Sequence, residues 1–185
     1  MIPRLVLLDR DGVLNADRAD HVKSPAEFVM LPGAAAAVAR LNSAGVRVAL
    51  CTNQSAVGRG IITREMLERI HLHLRDMLAR DGARLDAIFA CIDPPGPVSS
   101  HRKPAPGMLL DAMRQLRVAP ADAVMIGDSL RDLQAGQRAG VARVLVRTGH
   151  GAAVQAAGLP PDLMPVAVHD DLAQAVGALL AEPGR

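Results

Sequence analysis

Short apolar runs alternate with longer segments of helical periodicity along the chain, and this alternation restricts the possible folds more than any other feature. The apolar runs, which predict buried strands, are residues 5–8, 46–51, 87–92, 124–126 and 142–146. The segments that predict helices are residues 32–44, 63–80, 106–116, 129–139 and 170–180. Alternating strands and helices form a mostly parallel sheet covered on both faces. The predicted fold is therefore α/β, with a doubly wound parallel sheet.

The segments between the predicted strands leave little room for a second domain. One loop and one helix separate the first strand from the second, and only a loop separates the third strand from Arg102. We therefore expect residues 1–185 to form a single domain without a cap domain. Selectivity would then depend on three short loops, which are residues 16–24, 58–62 and 93–101.

The composition excludes several classes of function. Hydrophobic residues make up 50% of the chain and charged residues 22%, which suits a folded protein with a buried core. Aromatic residues make up 1%, too few for the stacking platforms of single-stranded nucleic-acid binders. The net charge of +2 comes from interspersed basic and acidic residues, without a basic stripe suited to duplex phosphates. No nucleic-acid partner is expected.

The cysteines and the apolar segments bear on the compartment. Cys51 and Cys91 each end an apolar run instead of forming a small-loop framework, which favours a reducing compartment. No apolar stretch has the length of a signal peptide, or of the roughly 20 residues that a membrane span requires. We expect a cytoplasmic monomer with no membrane partner.

Two carboxylates directly follow the first predicted strand. Asp9 and Asp11 are two residues apart, and a turn at Gly12 would let both face one pocket. Such a pair suits a carboxylate nucleophile and a partner that handles protons at the leaving oxygen. By itself the D-x-D pattern also occurs in turns, in helix caps and in structural cation sites, so the motif alone leaves these alternatives open.

Further polar groups follow the other predicted strands. Residues 52–55 offer hydroxyls, amides and backbone N–H groups to an anion, although a polar turn has the same composition. Arg102 and Lys103 bring two cations to a loop, where a solvated surface pair is the alternative. Asp128 could complete an oxygen-ligand set for Mg²⁺ with Asp9, cap a helix, or do both. Because the carboxyl ends of parallel strands meet at one edge of the sheet, these groups are expected to converge.

The motifs occur in an order that is typical of a known superfamily. The matching segments are residues 9–15, 52–55 with 58–60, 102–104 with 106–108, 127–128 and 145–149. In these segments, and over nearly the whole chain, the sequence resembles the haloacid-dehalogenase superfamily of aspartyl-phosphate hydrolases. Within that superfamily it is similar to the heptose-bisphosphate phosphatase branch, whose nearest relative is the histidinol-phosphate phosphatase branch. The resemblance implies a Rossmann-like fold with the first strand central.

The resemblance also implies a cofactor and a role for each matching residue. Asp9 would be the nucleophile and Asp11 the acid and base, while Thr52 and Lys103 would bind the transferring phosphoryl oxygens. Mg²⁺ would be held by the carboxylates of Asp9 and Asp128 and by the backbone carbonyl of Asp11. The residues expected to contact the substrate are Arg10, Asp17, Arg18, Ala19, Asp20, Asn53, Gln54, Ser55, Arg102 and Ser129.

The chain departs from the related branch at two places. Members of the branch usually carry a zinc loop after the third strand, and the corresponding positions here are Cys91, Asp93, Ser99 and His101. Structural zinc normally takes four Cys or His ligands, so no zinc is expected in this loop. The shortened loop is expected to be held instead by Pro94, Pro95 and Pro97. The second departure is Ser129, where related phosphatases often place a Lys.

The function implied by the resemblance is Mg²⁺-dependent hydrolysis of a phosphomonoester through an aspartyl-phosphate intermediate. The expected substrate is a heptose 1,7-bisphosphate, which would lose its 7-phosphate during the synthesis of bacterial surface polysaccharide. One alternative keeps the chemistry and changes the substrate to histidinol phosphate or another small phosphomonoester. A hypothesis from a different class is a non-catalytic phosphate-binding protein on the same fold. It is disfavoured because all four motifs keep their chemically active residues.

Overall fold

Six parallel strands form one sheet in the computed structural model, which describes residues 2–96 and 99–181 of the chain. The strands are β1 (Leu5–Leu8), β2 (Arg47–Asn53), β3 (Ala87–Cys91), β4 (Ala123–Gly127), β5 (Ala142–Val146) and β6 (Ala167–His169). Their order in the sheet is β3-β2-β1-β4-β5-β6, and every neighbouring pair is parallel. β1 therefore lies between β2 and β4 near the centre of the sheet, as expected.

Helices cover both faces of this sheet. They are α1 (Ala34–Ser43), α2 (Ser55–Gly58), α3 (Arg64–Arg80), α4 (Gly107–Leu116), α5 (Leu130–Ala139), α6 (Gly151–Ala156) and α7 (Leu172–Leu180). Val6 and Leu8 of β1 pack with α1, α3 and α7, while Leu5 and Leu7 pack with α4 and α5. Successive side chains of a strand point to opposite faces, so one buried strand contributes to both cores. The doubly wound α/β fold predicted from the sequence is confirmed.

The predicted elements are present, and their ends differ from the prediction by at most two residues. The largest difference that affects the site is in β2, which continues through Thr52 and Asn53. The prediction placed these two residues after the strand, whereas Asn53 pairs with Cys91 inside the sheet. The sequence did not predict α2, α6 or β6, which have four, six and three residues. Elements this short do not show a hydrophobic period.

The described connections at the carboxyl ends of the strands are loops and short helical turns. Between β1 and α1 the chain forms a loop with one 3₁₀ turn, Pro25–Glu27, and the described residues between β3 and α4 also form a loop. Neither connection contains a separate cap domain within the described residues, and the assignment of residues 1–185 to one domain stays a prediction. None of the helices in residues 2–96 and 99–181 combines the length and the apolar character that a bilayer crossing requires.

Candidate active site

A cavity of about 650 Å³ lies where the carboxyl ends of β1, β2 and β4 meet. Asp9 and Asp11 follow β1, Asn53 ends β2 and Asp128 follows β4, and all four residues line this cavity. The loop before α4 adds Lys103 to its lining. The structure therefore brings together five of the residues that the sequence motifs selected, because the parallel strands end at the same edge of the sheet.

Lys103 organises the charges at the bottom of the cavity. Its side chain is only 2% exposed, and its Nζ lies 2.9 Å from Oδ1 of Asp9 and 2.6 Å from Oδ1 of Asp132. Burial alone would lower the pKa of Lys103, but the carboxylates of Asp132 and Asp9 raise it overall, so the ammonium keeps its charge. We call Asp9, Asp128, Asp132 and Lys103 the floor of the cavity.

The backbone of Lys103 is fixed by the end of β2. The side-chain amide of Asn53 donates to the Lys103 carbonyl at 3.0 Å, and its Oδ1 accepts the Lys103 N–H at 3.0 Å. A strand residue thus provides hydrogen-bond partners for both backbone groups of a loop residue, so neither group requires a water molecule as its partner. Asn53 therefore has a structural reason to end β2 at this point, in addition to its position in the cavity wall.

The carboxylates of the floor repel one another. Burial raises the pKa of Asp9 to about 7, with Lys103 opposing the rise and the carboxylates of Asp132 and Asp128 adding to it. Burial and the Asp132 carboxylate likewise raise the pKa of Asp128 to about 7. One oxygen each from Asp9, Asp128 and Asp132 lies within 4.8 Å of the other two. Buried carboxylates at this separation favour the binding of a cation.

The surroundings of Asp128 fit a small divalent cation. Its Oδ2 accepts the backbone N–H of His150 at 2.8 Å. A Cβ at Gly12, where φ is +80°, or at Gly149, where φ is +57°, would overlap this oxygen, so both positions require glycine. Carboxylate oxygens are the ligands that Mg²⁺ prefers. Among the described residues this is the one cluster of three possible metal ligands, and its oxygen donors suit Mg²⁺.

Asp11 is held at the cavity wall by three hydrogen-bonding side chains. Nη2 of Arg10 donates to both carboxylate oxygens, at 2.9 and 3.1 Å. Asn15 donates to Oδ1 at 2.9 Å, and Gln54 donates to Oδ2 at 2.7 Å. Burial would raise the pKa of Asp11, but the Arg10 charge and these hydrogen bonds lower it overall. These contacts therefore favour the ionised form of Asp11 in the absence of a ligand.

Three of the predicted site residues lie behind the cavity wall. Thr52 is fully buried, and its hydroxyl oxygen accepts a hydrogen bond from Nε2 of Gln54 at 2.9 Å. Arg10 is 1% exposed and directs its guanidinium to the neighbouring carboxylate, as described above. Asn53 and Ser55, from the same motif as Thr52, do line the cavity. Direct contact of Thr52, Gln54 and Arg10 with a ligand stays a prediction.

The loop after β1 forms part of the cavity mouth. Asp17, Arg18 and Ala19 line the cavity, and Oδ2 of Asp17 lies 2.8 Å from Nε2 of His150 across the mouth. Asp20 does not line the cavity. Its carboxylate accepts a hydrogen bond from Nε of Arg18 at 3.2 Å on the exposed surface. Three of the four residues predicted for this loop are thus placed at the cavity, and the fourth supports Arg18.

Hydrogen bonds connect the positions at which the sequence resemblance suggested a zinc loop. Sγ of Cys91 lies 3.5 Å from Oδ2 of Asp93 and 3.8 Å from Oγ of Ser99. The backbone N–H of His101 donates to Oγ of Ser99 at 3.3 Å, but its ring is directed elsewhere, with Nε2 2.9 Å from Oδ2 of Asp111 on the exposed surface. Burial raises the pKa of the Cys91 thiol, which favours the protonated form. The expectation that this loop binds no zinc stays a prediction.

The same loop positions Arg102. Nη1 of Arg102 donates to the Asp93 carbonyl at 3.0 Å, and its backbone N–H donates to Oγ of Ser99 at 3.1 Å. Of the prolines expected to hold the loop, Pro95 lines the cavity, whereas Pro97 lies outside the described residues. Polar contacts therefore fix Arg102 at the cavity in the described part of the loop.

The motifs did not select Asp132, although it belongs to the floor. It is fully buried in the first turn of α5, and its Oδ2 accepts the Ser129 backbone N–H at 3.0 Å and the Ser129 hydroxyl at 2.6 Å. Its spacing of four residues from Asp128 was the available indication, because the strand end and the first turn of the next helix face the same cavity. The hydroxyl of Ser129 donates to Asp132, while Ser129 itself lines the cavity, and its contact with substrate stays a prediction.

Four basic side chains at the cavity were not among the residues predicted for the site, although two of them lie in loops expected to set selectivity. They are His21, Arg59, Arg131 and His150, which all line the cavity. All but His21 are exposed, and exposed positions carry no hydrophobic pattern that would place them at a site.

Comparison with known proteins agrees with this geometry. The family model described as haloacid dehalogenase-like hydrolase matches residues 9–140. The D-glycero-beta-D-manno-heptose-1,7-bisphosphate 7-phosphatase of Bordetella bronchiseptica is 44% identical, over 97% of this chain and 99% of its own. The protein of the same name from Pseudomonas aeruginosa is 38% identical, over 95% of this chain and 97% of its own.

A solved structure is similar over nearly the whole chain. The D,D-heptose 1.7-bisphosphate phosphatase from B. bronchiseptica, complexed with magnesium and phosphate, has a TM-score of 0.90 at 44% identity, covering 96% of this chain and 98% of that one. The corresponding enzyme from Burkholderia thailandensis has a TM-score of 0.74 at 40% identity, covering 97% and 99%. The chain therefore belongs to the haloacid dehalogenase-like hydrolase family and is an enzyme of that family.

Proposed function

We propose that the protein is a phosphatase that removes the 7-phosphate from D-glycero-D-manno-heptose 1,7-bisphosphate, with the phosphoryl group carried transiently on Asp9. The observation that carries this proposal is the position of Asp9, which lines the cavity 2.9 Å from Lys103 and beside Asp128. A carboxylate can attack an anionic phosphoryl group only where positive charge offsets their repulsion. Lys103 and the candidate cation site offer that charge.

Mg²⁺ is the proposed cofactor. The carboxylates of Asp9 and Asp128 and the backbone carbonyl of Asp11 would hold it, and the close carboxylate oxygens support this ligand set. When bound, Mg²⁺ supplies positive charge to the transferring phosphoryl oxygens and favours the ionised form of its carboxylate ligands. Asp132 belongs to the same cluster, but we assign it to Lys103, whose Nζ is 2.6 Å from its Oδ1.

In the first step Asp9 attacks phosphorus. A bond forms between a carboxylate oxygen of Asp9 and phosphorus while the bond between phosphorus and O7 of the sugar breaks. The electron pair of the broken bond goes to O7, which takes a proton from the protonated form of Asp11, the form that the second step regenerates. Lys103 neutralises the phosphoryl oxygens during this transfer, since its ammonium is fixed at the floor by Asp132.

In the second step water attacks the phosphoryl group on Asp9. The water proton goes to Asp11, the bond between phosphorus and Asp9 breaks, and inorganic phosphate leaves. This step requires Asp11 as a carboxylate, the form favoured by Arg10 and by its other hydrogen bonds. One carboxyl group can serve as acid and then as base in successive steps.

The choice of a heptose bisphosphate is supported by the names of the relatives at 44% and 38% identity. Polar side chains at the cavity, including Asn53, Ser55 and Arg102, could bind the hydroxyls and the second phosphate of such a sugar. Ser129 replaces a lysine that related phosphatases often have, so histidinol phosphate is kept as an alternative substrate.

We further propose that the enzyme acts as a cytoplasmic monomer. Every group of the floor comes from the one chain, so the reaction needs no residue from a second copy. Cys51 and Cys91 are free and buried, and burial raises the pKa of Cys51 to about 12. Unpaired buried thiols are typical of proteins in reducing compartments.

The test is phosphate release from heptose 1,7-bisphosphate, histidinol phosphate and simple hexose phosphates, measured side by side. The bisphosphate is expected to give the highest kcat/KM, with activity lost in excess chelator, restored by Mg²⁺ and inhibited by Ca²⁺. A higher kcat/KM for histidinol phosphate would identify that compound as the preferred substrate. Binding of phosphate without turnover of any substrate would identify a non-catalytic protein.

A further inference from the structure

A buried contact lies behind Asp11, outside the lining of the substrate cavity. Arg10 is 1% exposed, and its Nε and Nη2 both face the Asp11 carboxylate. Its remaining nitrogen, Nη1, lies 3.5 Å from Nε2 of His71 on α3. In residues 2–96 and 99–181 no other acceptor is within hydrogen-bonding distance of Nη1. His71 is therefore the far end of a row of three side chains that leads to Asp11.

The chemistry of the two groups fixes the direction of this contact. A guanidinium can only donate, so Nε2 of His71 has to accept, and the ring has to be neutral. Burial, together with the charge of Arg10, lowers the pKa of His71 to about 4, so the neutral ring predominates at neutral pH. A separation of 3.5 Å is long for a hydrogen bond, and hydrogen bonds at catalytic groups often shorten when substrate binds.

His71 does not line the cavity that contains Asp9. It lines a second cavity of about 420 Å³, together with residues of α3 and residues of and directly after β3. Arg10 lines neither cavity and contacts His71 on one side and Asp11 on the other. An effect of His71 on the reaction therefore has to pass through Arg10.

The orientation of Asp11 matters in both steps of the proposed reaction. Its carboxyl group gives a proton to O7 in the first step and takes one from water in the second. Arg10 is the one charged group among the three side chains that donate to it, and it contacts both carboxylate oxygens. A guanidinium with partners on both sides keeps one orientation, and a fixed supporting group keeps the functional carboxylate in place.

We infer that His71 is a positioning residue for the proton transfers of Asp11. It holds the Arg10 guanidinium at Nη1, and Arg10 in turn holds the Asp11 carboxylate. This inference rests on the proposed function and deepens it, because it gives a residue of α3 a part in the reaction. His71 is not a catalytic residue, since it contacts neither the substrate cavity nor the reacting atoms.

The test uses two substrates whose leaving groups differ in their need for a proton. O7 of heptose 1,7-bisphosphate needs the proton of Asp11, whereas p-nitrophenyl phosphate releases a stable anion that leaves without one. With the full-length enzyme and Mg²⁺ in saturating excess over substrate, the rate at which the leaving group appears reports the first step alone. This rate does not depend on the fraction of folded protein while the folded enzyme stays in saturating excess.

The variants separate the acceptor from the shape of the side chain. His71→Leu and His71→Ala remove the acceptor, while His71→Gln has an amide oxygen that can take the place of Nε2. His73→Leu is the matched control. His73 is also a half-buried histidine of α3, but its ring lies edge-on to Phe28, with 6.1 Å between the ring centroids.

The two variants without an acceptor are expected to release heptose 1-phosphate about tenfold more slowly than the wild type. Their release of p-nitrophenol and their KM for the bisphosphate should be unchanged, because the floor and the cavity mouth are not altered. His71→Gln should stay within about twofold of the wild type for both substrates, and His73→Leu should equal the wild type.

Three results would overturn the inference. An equal slowing with both substrates would show that His71 only supports the fold, and no slowing with either would show that Arg10 does not need it. A loss in His71→Gln as large as in His71→Leu would show that the acceptor is not what matters.

Failure of the proposed function would be seen separately, before any His71 variant is measured. A wild type that hydrolyses p-nitrophenyl phosphate but not the bisphosphate would have a different substrate. An Asp11→Asn variant that releases heptose 1-phosphate as fast as the wild type would exclude Asp11 from the proton transfer, and the inference about His71 would fall with it.

Discussion

The floor of the cavity and the exposed arginines that line it, Arg59 and Arg131, balance their charges in opposite ways. In the floor, Lys103 and Asp132 are 2% and 0% exposed and paired at 2.6 Å. Arg59 and Arg131 are exposed and have no carboxylate partner among the described residues. Buried and mutually paired groups keep one geometry before the substrate arrives, whereas unpaired exposed groups depend on a ligand for their partner. The floor is therefore preformed, and the exposed arginines are not.

The largest effect is expected from removing the nucleophile in the floor. Asp9→Asn should lower kcat by about 10⁴-fold or more, because the amide cannot attack phosphorus, while the fold is kept. Asp76→Asn, on the exposed face of α3, is the matched control and should retain wild-type turnover. Steady-state phosphate release gives kcat for both variants, and circular dichroism shows whether each keeps its fold. Near wild-type turnover by Asp9→Asn would show that Asp9 is not the nucleophile.

A second effect separates the buried ion pairs of the floor from ion pairs at the surface. Lys103→Met should lower the free energy of unfolding by about 3–5 kcal/mol, since Asp132 would keep a buried charge without its partner. Lys23→Met removes a partly exposed lysine that pairs with Asp20 and, at 3.3 Å, with Glu27 on the surface, and its effect on stability should be small. Urea denaturation measures both variants.

The stability loss of Lys103→Met has an internal check. Adding Asp132→Leu to that variant removes the uncompensated carboxylate and should restore part of the lost stability. Equal stability losses for Lys103→Met and Lys23→Met would mean that the floor is not a preformed charge network.

A smaller effect is expected at the glycine that faces Asp128. Gly12→Ala should lower the affinity for Mg²⁺ and the activity by about 10- to 100-fold, because the added methyl group overlaps the Asp128 carboxylate. Gly45→Ala is the control, since Gly45 has a similar φ of +75° but no atom within 4 Å of an added Cβ. Both variants carry backbone strain, so only the overlap differs. Mg²⁺ titrations of activity that coincide for the two variants would contradict the placement of the cation at Asp128.

The smallest effect is expected behind the cavity, at His71 on α3. Burial, with help from the charge of Arg10, lowers the pKa of His71 from 6.5 to about 4. As the pH falls from about 6.5 to about 4, the unfolded chain takes up this proton first, so the folded state loses up to about 2 kcal/mol, allowing for the partly exposed ring. His71→Gln should have a weaker decline of stability across that range. Parallel curves of unfolding free energy against pH for both proteins would show that His71 does not contribute.

The fold could be predicted from the sequence because its strands and long helices carry clear patterns. The apolar run of β1 and the apolar stripe of α3 each fix an element and its buried face. The strand ends then placed Asp9 and Asp128 in one cavity without any knowledge of distances. The short elements α2, α6 and β6 could not be found in this way, because four, six and three residues are too few for a hydrophobic period to repeat.

The site was predicted less completely, for reasons that concern individual side chains. A carboxylate in the first turn of a helix usually faces solvent, and only the three-dimensional position of Lys103 makes Asp132 part of the floor. Asp20 appeared equivalent to Asp17, but surface pairing with Arg18 turns it away from the cavity. Arg59 lies in a loop that the sequence predicted to affect selectivity, but neither Arg59 nor Arg131 was selected as a site residue, and only the folded structure places both at the same cavity as Arg102.

The most direct test of the central claim is to trap the phosphoryl group on the floor. Asp11→Asn keeps Asp9 but lacks the base that activates water, so it should accumulate phosphorylated enzyme after addition of heptose 1,7-bisphosphate with Mg²⁺. Intact-mass and peptide mass spectrometry of the acid-quenched protein should find one added phosphoryl group on Asp9, and none in the double variant Asp9→Asn with Asp11→Asn. Hydrolysis of the substrate without any phosphorylated enzyme, or with the phosphoryl group on another residue, would contradict the account.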